Sequence, residues 1–475
     1  MILKKQHHSV FSDINHFIIE KCYFLHLFYT ISVKFDIFFI WYYNATMERH
    51  LINRLIKWKN DKNRKPLILS GARQVGKTWL MNEFGKRYYK KVAYITFFNN
   101  ARLKKVFEND YDINRLITNI SIETNIDIEP DDTLILFDEI QECPKALESL
   151  KYFCEQAREY NIIAAGSLLG VFLHENISYP VGKVDEMTLY PMTFLEFLEA
   201  MGEEKLYKII FEKNIQLIND FSDRLIELLK QYYYVGGMPE IVSDFVNNKD
   251  YNKVREKQNT IINQYIKDFS KHIKGFELTR VNQIWDSIPM QLIKENKKFI
   301  FNNIKSGARF KEYDTAIEWL KRSGLIYVVN KVTTPKIPLK AYSESSSFKI
   351  FLVDIGLLTA MAELDIKTLL DGNKVFVEFK GALAEQYVAQ QLISMFNKQI
   401  YYYTSKDSVY EIDFMMSKDN QIMPVEVKSG HNLSSKSVNY FKTKYAPKYF
   451  YELSLNDYNK NNETINVPLY ALNLL

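Results

Sequence analysis

The sequence predicts an α/β fold at both ends of the chain, a parallel-sheet domain first and a smaller α/β domain last, with a helical middle between them. Three observations carry this. The octet Gly71 to Thr78 lies between the apolar strand candidate Pro66 to Ser70 and a helix with Leu80, Phe84 and Tyr88 at helical spacing. A second apolar strand, Leu134 to Phe137, runs into the paired acids Asp138 and Glu139. Near the C-terminus, a helix with one inward acid precedes two strands that carry Glu411, Asp413, Glu426 and Lys428. With 475 residues and 47% hydrophobic content the chain can fill several cores, which excludes a disordered class. A net charge of +5 permits a nucleic-acid partner without requiring one. The three cysteines, Cys22, Cys143 and Cys154, have neither metal nor disulfide spacing, so a reducing, cytoplasmic setting is expected.

Residues 1–46 are crowded with Phe, Tyr, Ile and His and differ from everything after Met47. The longest uncharged run there, Cys22 to Val33, is well short of the roughly 20 apolar residues a membrane span needs, so no stable membrane insertion is expected. Nor is there a basic start, apolar run and small-residue cleavage site in signal-peptide order. The expectation is a start codon placed too far upstream, with Met47 as the working beginning. An aromatic extension and a membrane-surface segment are the alternatives.

The octet reads Gly71-Ala72-Arg73-Gln74-Val75-Gly76-Lys77-Thr78 and fills the pattern GxxxxGK[ST]. In such a loop the glycines let backbone N–H groups curl round phosphates, while a lysine and a helix N-terminus neutralise their charge. Lys77 is expected to reach the β- and γ-phosphates of ATP, the Thr78 hydroxyl to ligate Mg²⁺, and Asp138 to hold that metal from the end of its strand. Glu139, directly after the metal-holding acid, is placed to take a proton from an attacking water, which points to hydrolysis. Strand Asn161 to Ala165 ends in Gly166-Ser167, where the Ser167 hydroxyl is a candidate for the γ-phosphate or the water; a plain turn serine is the alternative. No NKxD motif is present, which favours ATP over GTP.

RKPLILSGARQVGKT, LILFDEIQ, IIAAGSLLG, YPVGKV with YPMTFLEFL, YYYVGGMPE, IPLKAYSESSSFKIFLVDIGLL, and GALAEQYVAQQL with EIDFMM and VEVKSG occur in that order. In them the chain resembles a prokaryotic family of AAA-type P-loop ATPases that continues into a winged-helix segment and a C-terminal domain of unknown function similar to restriction endonucleases. The resemblance runs from about Met47 to the end. It implies a P-loop NTPase parallel sheet over 47–200, a helical lid over 201–260, a winged helix over 261–345 and a restriction-endonuclease-like α/β domain over 346–475. Many relatives carry arginine where this chain has Lys183; lysine offers a point charge in place of a planar fork.

The stretch from Leu189 to about Phe245 reads helical until Gly236-Gly237-Met238-Pro239 breaks it, the glycines either turning the chain or touching the nucleotide. Lys253 to Lys274, rich in Lys and Asn, invites a phosphate-binding reading, but a solvated helix face is the expectation because Glu256 and Asp268 dilute the basic charge. Tyr313, Ala316, Ile317 and Leu320 lie on one helix face, and Leu325 to Val329 is a strand that turns back through Pro335 and Pro338. Helix, strand and returning strand suggest a winged helix, with Arg309 and Lys311 at the entrance of its last helix. Such helices either contact DNA or only join domains.

On the helix from Gly381 to Phe396, Glu385 falls within the apolar arc of Ala382, Val388, Ala389 and Leu392. A buried carboxylate needs a cation, a metal or hydrogen bonds to meet it. Strand alternation puts Glu411 and Asp413 on one face, and Glu426 and Lys428 on one face of the next strand. The order is similar to the PD-(D/E)xK nuclease core, with Ile412 at a place where proline is usual. That resemblance implies Asp413 and Glu426 as ligands of a second Mg²⁺, Glu385 completing the shell and Lys428 orienting the attacking water. The alternative is a hairpin with one polar face and a Glu426–Lys428 ion pair. Two functions follow: an ATPase whose nucleotide state controls a nuclease acting on DNA, or an ATP-driven switch whose inactive nuclease-like domain binds DNA or protein. A homo-oligomer belongs with either.

Overall fold

The computed structural model describes residues 48–167, 179–293, 298–371, 374–428 and 436–475. The segment 1–46, residues 168–170 of the IIAAGSLLG motif and residues 429–430 of VEVKSG lie outside the described residues. From Arg49 onward the chain packs as one contact unit.

Helix α1 (Ile52–Asn60) leads into β1 (Leu67–Ser70), and α2 (Lys77–Tyr88) leaves the octet that follows. The chain then runs through β2 (Lys91–Thr96), α3 (Ala101–Asn109), α4 (Ile113–Thr124), β3 (Thr133–Asp138), α5 (Pro144–Gln156), β4 (Asn161–Ala165) and β5 (Asp185–Thr188). All five strands are parallel, in the order β5-β1-β4-β3-β2. Strands β3 and β4 are buried throughout, because helices cover both faces of a parallel sheet, and this is why they read as continuous apolar runs. Phe97, Phe107 and Phe137 pack edge to face with centroids 5.4–5.7 Å apart and fill one side of that core. Parallel order brings the carboxyl ends of β1, β3 and β4 to one edge, where such sheets carry their sites.

The helical middle comprises α6 (Phe194–Ala200), α7 (Glu204–Phe211), α8 (Ile215–Asp220), α9 (Ser222–Val235), α10 (Pro239–Asn248), α11 (Tyr251–His272) and α12 (Phe276–Ile293). Thr193 caps α6 in a reciprocal box with Glu196. Helix α9 stops at Gly236, and α10 starts with Pro239 in its first turn. A Cβ on Gly237 would lie 2.2 Å from the Met192 carbonyl oxygen, and one on Gly236 2.2 Å from Asp354 Oδ1. These glycines are therefore needed where the chain turns against its neighbours.

Helix α13 (Phe310–Arg322), β6 (Ile326–Val332) and β7 (Ser343–Leu352) appear where the winged helix was expected, but β6 and β7 are not a free wing. They are followed by α14 (Ile355–Met361), α15 (Ile366–Asp371), α16 (Lys374–Phe396), β8 (Tyr401–Thr404), β9 (Glu411–Lys418), β10 (Gln421–Val427), α17 (Lys436–Tyr445), β11 (Phe450–Ser454), β12 (Asn459–Asn461) and β13 (Thr464–Pro468). Strand β6 pairs in parallel with β8, Asn330 opposite Tyr401, so the hairpin forms the edge of one mixed sheet, β12-β13-β11-β10-β9-β8-β6-β7. The expected boundary at 345/346 thus falls inside β7. The reason is pairing: β8 needs a partner on its outer edge, and β6 supplies it from some seventy residues upstream.

Candidate functional site

The octet between β1 and α2 is shaped by close approach. Gly71 has φ +144°, and a Cβ there would lie 2.3 Å from the Leu189 carbonyl oxygen at the end of β5. Gly76, at φ +92°, turns the chain into α2. Lys77 is buried, and its Nζ donates to the carbonyl oxygens of Gly71 at 2.9 Å and Ala72 at 2.7 Å. Burial pushes its pKa down to about 8, partly offset by the charges of Glu139 and Asp138.

Asp138 ends β3 as a buried acceptor. Its Oδ2 accepts from Thr78 Oγ1 at 2.8 Å and from the Tyr94 hydroxyl at 2.9 Å, and its Oδ1 from the Glu139 N–H at 3.0 Å. Burial and then the Asp138 charge hold the Tyr94 phenol protonated, well above its ordinary range. Glu139 leaves the strand in the left-handed region, φ +50° and ψ +45°, a conformation uncommon outside glycine, and its carboxylate accepts from the Gln141 amide. Ser167, buried at the end of β4, lines the same cavity as Thr78, Asp138 and Glu139. The structure thus brings Thr78, Asp138, Glu139 and Ser167 together beside Lys77. Lys183 is elsewhere: its Nζ lies 2.8 Å from Glu155 Oε1 on the surface.

Several residues around the octet were not foreseen. Arg49, 4% exposed, donates to the carbonyls of Val75 at 2.7 Å and Tyr190 at 2.6 Å and to Glu196 at 3.1 Å, tying the loop to α6. On the other side, α11 grips the loop. Arg73 pairs with Asp268, Gln74 with Gln264, and the Tyr265 hydroxyl donates to the Arg73 carbonyl at 2.9 Å. Lys271 and His272, at the end of α11, line the cavity that holds Asp138 and Glu139.

The C-terminal acids converge on a lysine. Glu385, 3% exposed, has Lys349 Nζ at 3.4 Å from its Oε2, and the same amine lies 2.6 Å from Glu411 Oε1 and 3.8 Å from Asp413 Oδ1. Lys349 is fully buried on β7, 5.2 Å above the Tyr402 ring. Burial opposes its charge, yet Glu385, Glu411 and Asp413 outweigh that and hold the amine well above its ordinary pKa. Asp413 Oδ2 accepts from the Val427 N–H at 2.8 Å. Glu426 Oε1 accepts from Lys428 Nζ at 2.6 Å, whereas its Oε2 is buried without a hydrogen-bond partner. Burial raises the Glu426 pKa, against the pull of Lys428. Lys349 thus sits among Glu385, Glu411 and Asp413, the first and last of which the resemblance implies at a Mg²⁺ site. Among the described residues, no group of three or more His, Cys, Asp or Glu side chains is arranged to hold a metal.

An AAA domain family matches residues 63–198, which include the octet, Asp138, Glu139 and Ser167. Two further families, each a domain of unknown function, match residues 226–368 (DUF8612) and 380–472 (DUF4143). The chain therefore carries an AAA-type P-loop domain, followed by two segments whose families have no stated function. The Walker-type ATPase PABY2304 of Pyrococcus abyssi is similar at 14% identity and a TM-score of 0.42, over 66% of this chain and 96% of that one. The Thermotoga maritima RuvB Holliday junction branch migration motor is similar at 12% identity and a TM-score of 0.28, over 62% of this chain and 91% of that one. No curated protein matches the sequence. Among the described residues no helix is long and apolar enough to cross a membrane.

Proposed function

We propose that the chain is a Mg²⁺-dependent ATP hydrolase whose nucleotide state acts on a C-terminal domain that recognises a partner, DNA or protein, without cutting it. The observation that carries the first half is the meeting of Thr78 Oγ1 and Asp138 Oδ2 at 2.8 Å beside Lys77. An all-oxygen donor set of hydroxyl and carboxylate suits a hard cation such as Mg²⁺, which when bound would neutralise charge on the β- and γ-phosphates. The N–H groups from Ala72 to Thr78 cradle the phosphates, and Lys77 exchanges its two carbonyl partners for phosphate oxygens. Glu139, held by Gln141, accepts a proton from water as the water oxygen bonds to the γ-phosphorus and the bond from that phosphorus to the β–γ bridging oxygen breaks. Ser167 positions that water or a γ-oxygen.

The second half rests on Lys349. With its ammonium already within 3.8 Å of three carboxylates, the cluster has its charge partner. A nuclease reading draws support from one atom, the unpartnered Glu426 Oε2 beside Lys428. Two assays separate these outcomes. Lys77→Ala should lose nucleotide affinity and turnover, whereas Glu139→Gln should bind ATP and lose turnover; hydrolysis equal to the parent in both would sink the ATPase assignment. Incubation of the parent with single- and double-stranded DNA in Mg²⁺ or Mn²⁺ should leave the DNA intact. Cleavage abolished by Lys428→Ala with ATP binding retained would establish the nuclease instead.

A further inference from the structure

Phosphoryl transfer to water spreads negative charge over the γ-phosphate oxygens, and a second cation beside the P-loop lysine commonly stabilises it. Within residues 63–198, Lys183 stands where many relatives carry arginine, but its amine is committed to Glu155 on the surface. The cavity on the far side of Thr78 is different. It has a volume of about 380 Å³, and Asp138, Glu139 and Ser167 line it together with Lys271 from the last turn of α11. Arg73 and His272 also reach it, yet neither is available: the Arg73 guanidinium is paired with Asp268, and burial together with the Lys271 charge keeps His272 below its ordinary pKa. Among the described residues Lys271 forms no ion pair. Its backbone is nonetheless held in place, because Asp268, Gln264 and Tyr265 on the same helix all bind the P-loop directly.

We propose that Lys271 is a catalytic cation for ATP hydrolysis, delivered to the γ-phosphate within the same chain from a helix outside the AAA-matched residues. The inference rests on the hydrolase reading above. A lysine on a mobile four-carbon stem at the helix end can follow the oxygens as charge develops, and the Arg73–Asp268 pair sets how near its backbone lies. Nucleotide hydrolysis and the seating of α11 on the loop are thereby coupled.

The test uses the full chain with Lys271→Ala and Lys271→Arg. Lys271→Ala should lower kcat about 10²-fold with KM for ATP little changed, and Lys271→Arg should restore most of it. Lys271→Ala should also weaken binding of ADP with aluminium fluoride, a mimic of the charged transition state, far more than binding of ADP alone. Because Lys271 is exposed, thermal unfolding should match the parent. Turnover in Lys271→Ala within about threefold of the parent, or equal weakening of ADP and of ADP with aluminium fluoride, overturns the assignment. A parent that binds nucleotide without turnover would sink the hydrolase reading and this assignment with it, whereas a parent that turns over and a Lys271→Ala that matches it sink this assignment alone. A parent that binds no nucleotide would sink both.

Discussion

Replacing Lys349 by methionine keeps the stem of the side chain and removes the charge, leaving Glu385, at 4% side-chain exposure, and Asp413, at 13%, without their cation. Glu411, 35% exposed, is solvated enough that its share is small. Removing one partner from a buried ion pair costs about 3–5 kcal/mol, because the remaining charge loses its counter-ion. In the parent the Lys349 pKa is raised, so its contribution is fully present below the ordinary lysine value and is lost only as pH climbs through the higher folded value. Between pH 5.5 and 7.5 the parent's ammonium therefore does not titrate, and any change in the difference comes from the variant. There the stranded carboxyls rise in pKa and take up protons, so the deficit should shrink on acidification by up to about 1.4 kcal/mol per pH unit for each proton bound. Urea unfolding of parent and variant at the two pH values measures this, and Lys349→Met with Glu385→Gln should recover most of the loss. Mn²⁺ should stabilise Lys349→Met and leave the nucleotide-free parent unchanged. A deficit below about 1 kcal/mol at pH 7.5, or one that grows in acid, would refute the ion-cluster argument, and Mn²⁺ stabilisation of the parent removed by Asp413→Asn would restore the metal reading.

Lys77 is held down to about pKa 8 by burial, so ATP binding above that pH must carry a proton in with it. Affinity should fall as pH rises through about 8, and calorimetry in buffers of different ionisation enthalpy should detect proton uptake; flat affinity from pH 7 to 9 would count against the Lys77 environment. Asp354, fully buried with its pKa raised to about 6 by burial, accepts from the N–H groups of Gly237 at 2.7 Å and Leu357 at 3.1 Å. Asp354→Asn puts an amide N–H against one of these donors and should cost about 1–3 kcal/mol in urea unfolding, where a neutral outcome would show that the turn does not depend on the carboxylate. Because its folded pKa is raised, this group makes the parent relatively more stable as pH falls from about 6 toward the ordinary aspartate range, a trend Asp354→Asn should lack.

The elements that the sequence disclosed are those whose causes are local. The octet needs only its own glycines and its flanking strand and helix, and Asn161 to Ala165 is bounded as expected because a strand buried on both faces has no polar interruption. Glu385 was expected inside from its apolar arc and is buried, although residues 382–392 of its helix are buried on every side, Gln386, Gln390 and Gln391 included. What escaped was the partner. Lys349 lies 36 residues before Glu385 and 62 before Glu411, and the parallel pairing of β6 with β8 brings β7, which carries Lys349, into one sheet with β9, which carries Glu411. A signal was present in Ser347-Phe348-Lys349-Ile350-Phe351, where a lysine interrupts a strand too apolar for either face to be wet. The same distance hid α11: Arg73 and Asp268 are 195 residues apart, and a run of lysines and asparagines reads as a solvated face unless its partner is known.

On the proposed function, the position of α11 also constrains how a nucleotide signal would travel. One end of the helix grips the P-loop through Tyr265 and Asp268, and nearer its start Gln258 donates to the Tyr234 carbonyl at 2.6 Å, at the end of α9. There Asp354 joins the Gly237 N–H to α14 and, through Gln390 at 3.3 Å, to the helix that carries Glu385. A change of charge at the γ-phosphate that shifts α11 must therefore strain the Asp354 turn or move α14 and α16 with it, because closely packed interiors transmit small displacements instead of absorbing them. Removing the Arg73 side chain should loosen this route, with Tyr265 and Gln264 still on the loop, and leave the C-terminal sheet folded, whereas replacing Asp354 should disturb the turn itself. That asymmetry follows from burial: the Arg73 side chain is 36% exposed, and Asp354 is sealed.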